Sequence, residues 1–234
     1  MKKLALLVST ILLFGSCSRM IVPMGALPEK KPKPFVKLKT GTRIEPKNLA
    51  TKSRSIRADG KTYKKNDIAF YSDGRDTYGS IKRASFATQI YVGDINVYQT
   101  ISTSTSVSST GHMHTHTHVK HYLQKEGTDK LTYFRYKSLT KLIPSTDLAF
   151  KYLKTFKRNQ LIDNFGMLGG FGMFCGGTVV AGKATMSTSG KGLGAGFGIM
   201  LAGVGAICTG YVMNAINHLN LKRAVAAHNG LIVK

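Results

Sequence analysis

His112, His114, His116 and His118 alternate strictly, and His121 follows three residues on. In an extended strand, alternate residues share one face about 7 Å apart. Neighbouring imidazoles at that spacing can pinch Zn²⁺, Cu²⁺ or Ni²⁺ weakly, but one straight strand cannot supply a tetrahedral set. No Asp or Glu lies between Asp94 and Glu126 to complete it. The row reads first as the polar face of an exposed hairpin, then as a weak transition-metal module, and last as a dedicated metal or pH-sensing site. Asp73 and Asp76 are the closely paired carboxylates of the same region, but Ser72-Asp73-Gly74-Arg75 has the composition of a turn rather than of an acid–base pair. Gly190-Lys191-Gly192 lacks the remaining spacing of a phosphate loop. Cys175 and Cys208 sit in glycine-rich apolar runs, where a thiol behaves as a small hydrophobe. No nucleophile–base arrangement emerges, so the expectation is a protein that is not an enzyme.

The elements that hold these residues change character along the chain. From 17 to 55 the chain is rich in Pro and Lys (Pro23, Pro28, Pro32, Pro34, Pro46) without sustained periodicity, which reads as an extended basic tether. From 56 to 160 the signals are those of strands followed by one or two helices. Ala58-Asp59-Gly60-Lys61 and Ser72-Asp73-Gly74-Arg75 are turn signals, and Ile90 to Tyr98 reads as a hairpin around Gly93-Asp94. Gln99 to Ser109 alternates Ser and Thr, Thr110-Gly111 ends it, and a second extended run covers His112 to Gln124. That long hairpin holds few apolar residues, so its tip is expected in solvent. Leu139, Leu142 and Ile143 form a short helical face stopped by Pro144. Ser145-Thr146-Asp147 then caps a second helix, with Leu148, Tyr152 and Phe156 on one side.

Phe165–Gly182 and Gly192–Ile216 carry no charge. At about 1.5 Å per residue they reach about 27 and 37 Å, enough for a thin and an ordinary hydrocarbon core. Gly190, Gly194, Gly198, Ala202, Ala206 and Gly210 recur every four residues, and Gly166–Gly170 and Gly172–Gly176 repeat the spacing in the first segment. In lipid, small side chains let helix backbones approach and gain van der Waals contact. The pattern predicts a glycine-zipper transmembrane helical hairpin over 165–216, with a soluble buried helical pair as the alternative. Residues 217–234 are left as a basic tail.

The chain opens with Lys2-Lys3, an apolar run from Leu4 to Phe14, and Gly15-Ser16 before Cys17. This is the anatomy of a signal peptide over 1–16, with an apolar run too short to span a bilayer. The cysteine so placed resembles the lipobox of bacterial lipoproteins, which implies acylation (palmitate or a related chain) at Cys17. Together with the glycine-spaced segments, it resembles the glycine-zipper two-span lipoproteins of Gram-negative outer membranes, here with a folded module between lipid and zipper. The resemblance implies a cell-envelope location, lipid-anchored at the outer membrane with the β domain facing the periplasm. Ser18 after Cys17 is compatible with sorting to that membrane.

Charge narrows the partners. Lys and Arg number 34 against 11 Asp and Glu, a formal net charge of +23. An exported chain meets little nucleic acid, so anionic lipid, lipopolysaccharide or an acidic envelope polymer is the expected partner. The fold class expected is α+β: a small antiparallel β-rich domain with one or two trailing helices, then the zipper hairpin. The expected role is structural or interactive, with no cofactor beyond the covalent lipid. A homo-oligomer that forms a pore or perturbs membranes is the alternative.

Overall fold

A computed structural model describes residues 22–28, 31–82, 84–186 and 192–231. The stretch expected to be a signal peptide (1–16), Cys17 and Gly190 lie outside the described residues. Strands begin earlier than the Pro/Lys composition implies. Phe35–Leu38 (β1), Arg43–Ile44 (β2) and Leu49–Thr51 (β3) all fall within the stretch read as a tether. The prolines stand outside these strands, where they remove no ladder donor. Val36 is completely buried. Two- to four-residue strands flanked by lysines are too short for their period-2 pattern to stand out, which is why the sequence hid them.

The next strands are Ser55–Ala58 (β4), Lys61–Lys64 (β5), Ile68–Ser72 (β6), Thr77–Ser80 (β7) and Phe86–Tyr91 (β8). Ile95–Val107 (β9), Met113–Lys125 (β10) and Thr132–Tyr133 (β11) follow. They form a curled eight-stranded antiparallel sheet in the order β11-β10-β9-β8-β7-β6-β1-β2, and a separate three-stranded sheet, β3-β4-β5. The β4–β5 turn is made by Asp59 and Gly60, both at positive φ (46° and 85°), as a two-residue hairpin with right-handed strand twist requires. In the β6–β7 turn, Asp73 Oδ1 accepts the amides of Arg75 and Asp76 at 2.9 Å each. Its carboxylate is thus occupied in holding the turn.

β6 is buried along its whole length and feeds two clusters. Ile68 and Tyr71 pack with Val36, Ile56 and Ala58, which joins the three-stranded sheet to the larger one. Ala69 and Phe70 pack with Ala87, Tyr98 and Tyr122. Such a strand, apolar on both faces, is what a central position demands.

Three α-helices follow among the described residues: Tyr136–Leu142 (α1), Ala149–Met186 (α2) and Leu193–His228 (α3). The second trailing helix and the first apolar segment, expected as separate elements, are one continuous helix, because 149–186 contains no proline. The stretch expected to be a basic tail from 217 is likewise helical to His228, with Leu221, Ala224, Val225 and Ala226 buried. The molecule comprises two compact units: Pro23–Phe150 with the chain from Val225 onward, and Lys151–Ala224. The fold is therefore α+β, with two of its helices long and apolar.

Candidate membrane-facing helices and histidine ribbon

Helices α2 and α3 pack antiparallel. A Cβ placed on Gly170 would stand 2.7 Å from the carbonyl oxygen of Gly203, and one on Gly203 would stand 2.6 Å from that of Gly170. At Gly177 the nearest backbone includes Gly196 O at 2.8 Å, and at Gly196 it is Ala181 N at 2.6 Å. A Cβ on Gly210 would meet Asp163 O at 3.3 Å and one on Gly166 would meet Ala206 O at 3.1 Å, tight contacts that a small shift could relieve. The seam thus runs through Gly196, Gly203 and Gly210 on one helix and Gly170 and Gly177 on the other, seven residues apart. At Gly170, Gly177, Gly196 and Gly203 the facing backbone is so close that there is room only for hydrogen on Cα.

The four-residue stripe read from the sequence meets this seam at one end. Gly210 and Ala206 lie at or beside it, whereas Ala202 is exposed and Gly194 and Gly198 have nothing within 4 Å. On α2, Gly166 and Gly170 face α3, while Gly172 and Gly176 lie open. The geometry is that of a 3.6-residue helix. A four-residue step advances about 40° and winds around the barrel, whereas a seven-residue step drifts only about 20°.

Away from the seam the pair is bare and apolar. Phe165, Leu168 and Tyr211 are 76, 77 and 73% exposed, and Phe171, Val179, Phe197 and Leu201 are also largely open. The spans Ala149–Thr185 and Leu193–His228 are long and apolar enough to cross a membrane, with mean hydropathy of 1.4 and 1.7 over their most apolar windows. Cys175 and Cys208 are free thiols.

The histidine row lies on the β9–β10 ribbon. His114, His116 and His118 stand directly across from Ser106, Ser104 and Ser102, so imidazoles and hydroxyls share one face. Thr103, Thr105, Thr115 and Thr117 occupy the other. Beyond Gln99 and His121 these strands pair only with each other, and residues 101–107 and 113–119 are exposed on both faces. The expected projection of the tip is what the fold displays. His112 falls past the strand end, where its amide donates to Ser108 Oγ at 3.2 Å. Among the described residues no three His, Cys, Asp or Glu side chains converge as a metal site requires.

Asp147 and His228 are paired residues that the sequence reading did not join. The Asp147 carboxylate accepts the Ala149 amide at 2.9 Å and contacts His228 Nδ1. Burial alone would raise its pKa, but the hydrogen bonds from His228 and Ala149 and the His228 charge outweigh that and hold it below the ordinary carboxylate value. Asn229 Nδ2 donates to the carbonyls of Met24 (2.7 Å) and Ile95 (2.9 Å), and its Oδ1 accepts the Ile95 amide at 2.9 Å. Gly230, at φ 72°, closes α3, with the Leu231 amide on Ala226 O. The Asn-Gly pair was the available signal: it marks a helix C-terminus.

A cleft of about 490 Å³ opens beside the β8–β9 turn; Asp94, Glu126, Thr77, Gln89 and Asn96 supply its polar lining. It brings together no nucleophile–base pair. Compared with family models, curated proteins and solved structures, the chain matches none.

Proposed function

We propose that this protein is a non-enzymatic lipoprotein of the bacterial envelope. Cys17 carries the lipid, α2 and α3 insert as a membrane hairpin, and the strand-rich unit presents a basic surface to an anionic envelope component or protein partner. The supporting observation is the exposed apolar surface of α2 and α3. A soluble buried pair would cover those side chains, yet only 17 and 12% of the two most apolar windows is buried. Exposed apolar patches beyond a few hundred Å² are rare on soluble monomers. Phe165, Leu168 and Phe171 on one helix, with Phe197, Leu201 and Tyr211 on the other, suit lipid. The basic surface is supported by the charge of +23. The signal-like start and the resemblance of its cysteine to a lipobox support outer-membrane lipidation with the strand-rich unit in the periplasm.

Membrane fractionation with carbonate extraction tests the reading, applied to wild type and Cys17→Ala, each with and without residues 165–216. Mass spectrometry detects the lipid. Lipidated wild type, and Cys17→Ala protein that resists carbonate until the hairpin is deleted, are the expected results. Release of intact Cys17→Ala as a soluble protein would remove the membrane hairpin.

A second reading, a glycine-packed oligomer that forms a pore or perturbs membranes, draws on the open glycines. Gly172, Gly176, Gly194 and Gly198 leave backbone bare on the outer surface, where another copy's helix can approach. Cross-linked oligomers with conductance in planar bilayers are the expected signature, and a closed monomer excludes it.

A further inference from the structure

One face of α2 changes character within a single turn. Lys151, Lys154 and Arg158 recur three and four residues apart, and the same face continues as Leu161, Ile162 and Phe165. The last three form the wall of an apolar groove of about 520 Å³, whose far side is the small surface of Gly166, Ala206 and Thr209. Arg158 belongs to the lining as its only charged member, is exposed, and forms no ion pair among the described residues. Asp163, the nearest carboxylate along the helix, does not compete for it: its Oδ1 lies 3.3 Å from a Cβ built on Gly210, across the helix seam. From Arg158 to Phe165 the helix rises about 10 Å. Further along the same face come Gly169, Gly172 and Gly176, each with nothing within 4 Å.

The geometry points to a binding site for one anionic phospholipid, its phosphate on the Arg158 guanidinium and an acyl chain in the groove below. Charge complementarity selects the occupant. A detergent without phosphate would fill the apolar part but leave the guanidinium facing solvent, whereas a phosphate accepts its planar fork. A zwitterionic headgroup carries its own cation beside the phosphate, so a headgroup of net negative charge is favoured. Basic positions at the head of a pocket between helices recur where anionic headgroups bind. The glycine face beneath Phe165 gives a second half of the chain a smooth path. This site deepens the membrane reading above and rests on it.

The test uses the full chain reconstituted into nanodiscs holding phosphatidylglycerol and phosphatidylcholine. After mild detergent extraction, native mass spectrometry counts the phosphatidylglycerol retained per protein. Wild type is expected to keep one, and Arg158→Gln to lose about fivefold in retention, the effect of one cation near an anionic headgroup. Arg158→Lys should keep part of it. Lys183→Gln, which removes the same charge from the other end of α2, should change nothing. Thr209→Leu, which fills the groove and leaves every charge in place, should weaken retention as well. Equal retention by wild type and Arg158→Gln, or equal loss with Lys183→Gln, would overturn the site while the membrane reading stands. Carbonate extraction of the same samples separates the two: wild type released by carbonate sinks the membrane reading and the site together.

Discussion

Two side chains decide how the helix ends are held in the strand-rich unit, and each makes a measurable claim. Asp147 caps α2 through the Ala149 amide and pairs with His228 in the last turn of α3. A negative group at a helix start opposes the local dipole. Asp147→Ala should therefore cost about 0.5–2 kcal/mol, the usual range for losing an N-cap, read from denaturant unfolding. The pH dependence follows from the direction of the Asp147 shift. A carboxyl held below its unfolded value of 3.8 adds stability that is complete above that value and is lost as pH falls through the folded one. Wild type should thus lose more stability than Asp147→Asn as the pH is lowered from about 4 to about 2; parallel curves would show that the pair contributes nothing. Asn229 acts differently, since its amide stands in for a strand by pairing with both backbone groups of Ile95 and with Met24 O. Asn229→Ala strands those groups and should cost about 2 kcal/mol, whereas Asn229→Asp, which keeps only the acceptor, should fall between.

At the scale of elements, the α2–α3 seam separates glycines by whether a methyl group fits. Gly203→Ala puts Cβ against the Gly170 carbonyl, and backbone cannot swing aside as a side-chain tip can. Gly198→Ala meets open space and gains helix propensity, about 1 kcal/mol in water. Thermal unfolding of the reconstituted protein should fall for the first and hold or rise for the second. The opposite order would mean that the helices pair through the four-residue stripe. That contrast also locates what the sequence made legible. The apolar length and the small residues of the two long helices could be read directly, because each is a local property. Which glycines touch could not, because four- and seven-residue repeats coexist in one glycine-rich segment and only the partner's surface chooses. The same applies to β1–β3: Val36 is buried because β6 lies beside it, and four residues among lysines and prolines do not announce a strand. His228 and Asp147 lie far apart in sequence, and no spacing rule joins them. The histidine alternation, by contrast, translated straight into a ribbon face, and its serine partners follow from a register that the Thr110-Gly111 turn fixes.

For the molecule as a whole, charge and apolar surface are segregated along the sequence. The helices carry their apolar segments free of charge from Phe165 to Gly182 and from Gly192 to Ile216, while lysine and arginine are spread through the strand-rich stretch. With 34 Lys and Arg against 11 Asp and Glu, most of that surplus has no carboxylate to meet, and the ion pairs Lys37–Asp129 and Arg43–Glu45 are themselves partly exposed. Exposed pairs of this kind contribute little to stability, so the cations are better understood through the field they create than through the fold they support. A field summed from many unpaired charges acts over roughly a Debye length, about 10 Å at 0.1 M salt and about 3 Å at 1 M. It should therefore gather a flexible polyanion without a shaped pocket, and release it with salt. The protein reconstituted in uncharged phosphatidylcholine vesicles should recruit fluorescent dextran sulfate at low ionic strength. The bound fraction should fall steeply towards 1 M salt, and neutral dextran should not bind at all. Because the histidines stand exposed on the projecting ribbon, removing the ribbon between Ile101 and Val119 and closing it with Asn-Gly removes no Lys or Arg. Recruitment at neutral pH should survive that change. If it disappears with the ribbon instead, the anion is held by the serine and histidine face and not by the basic surface, and the ribbon becomes the part of this molecule that meets its partner.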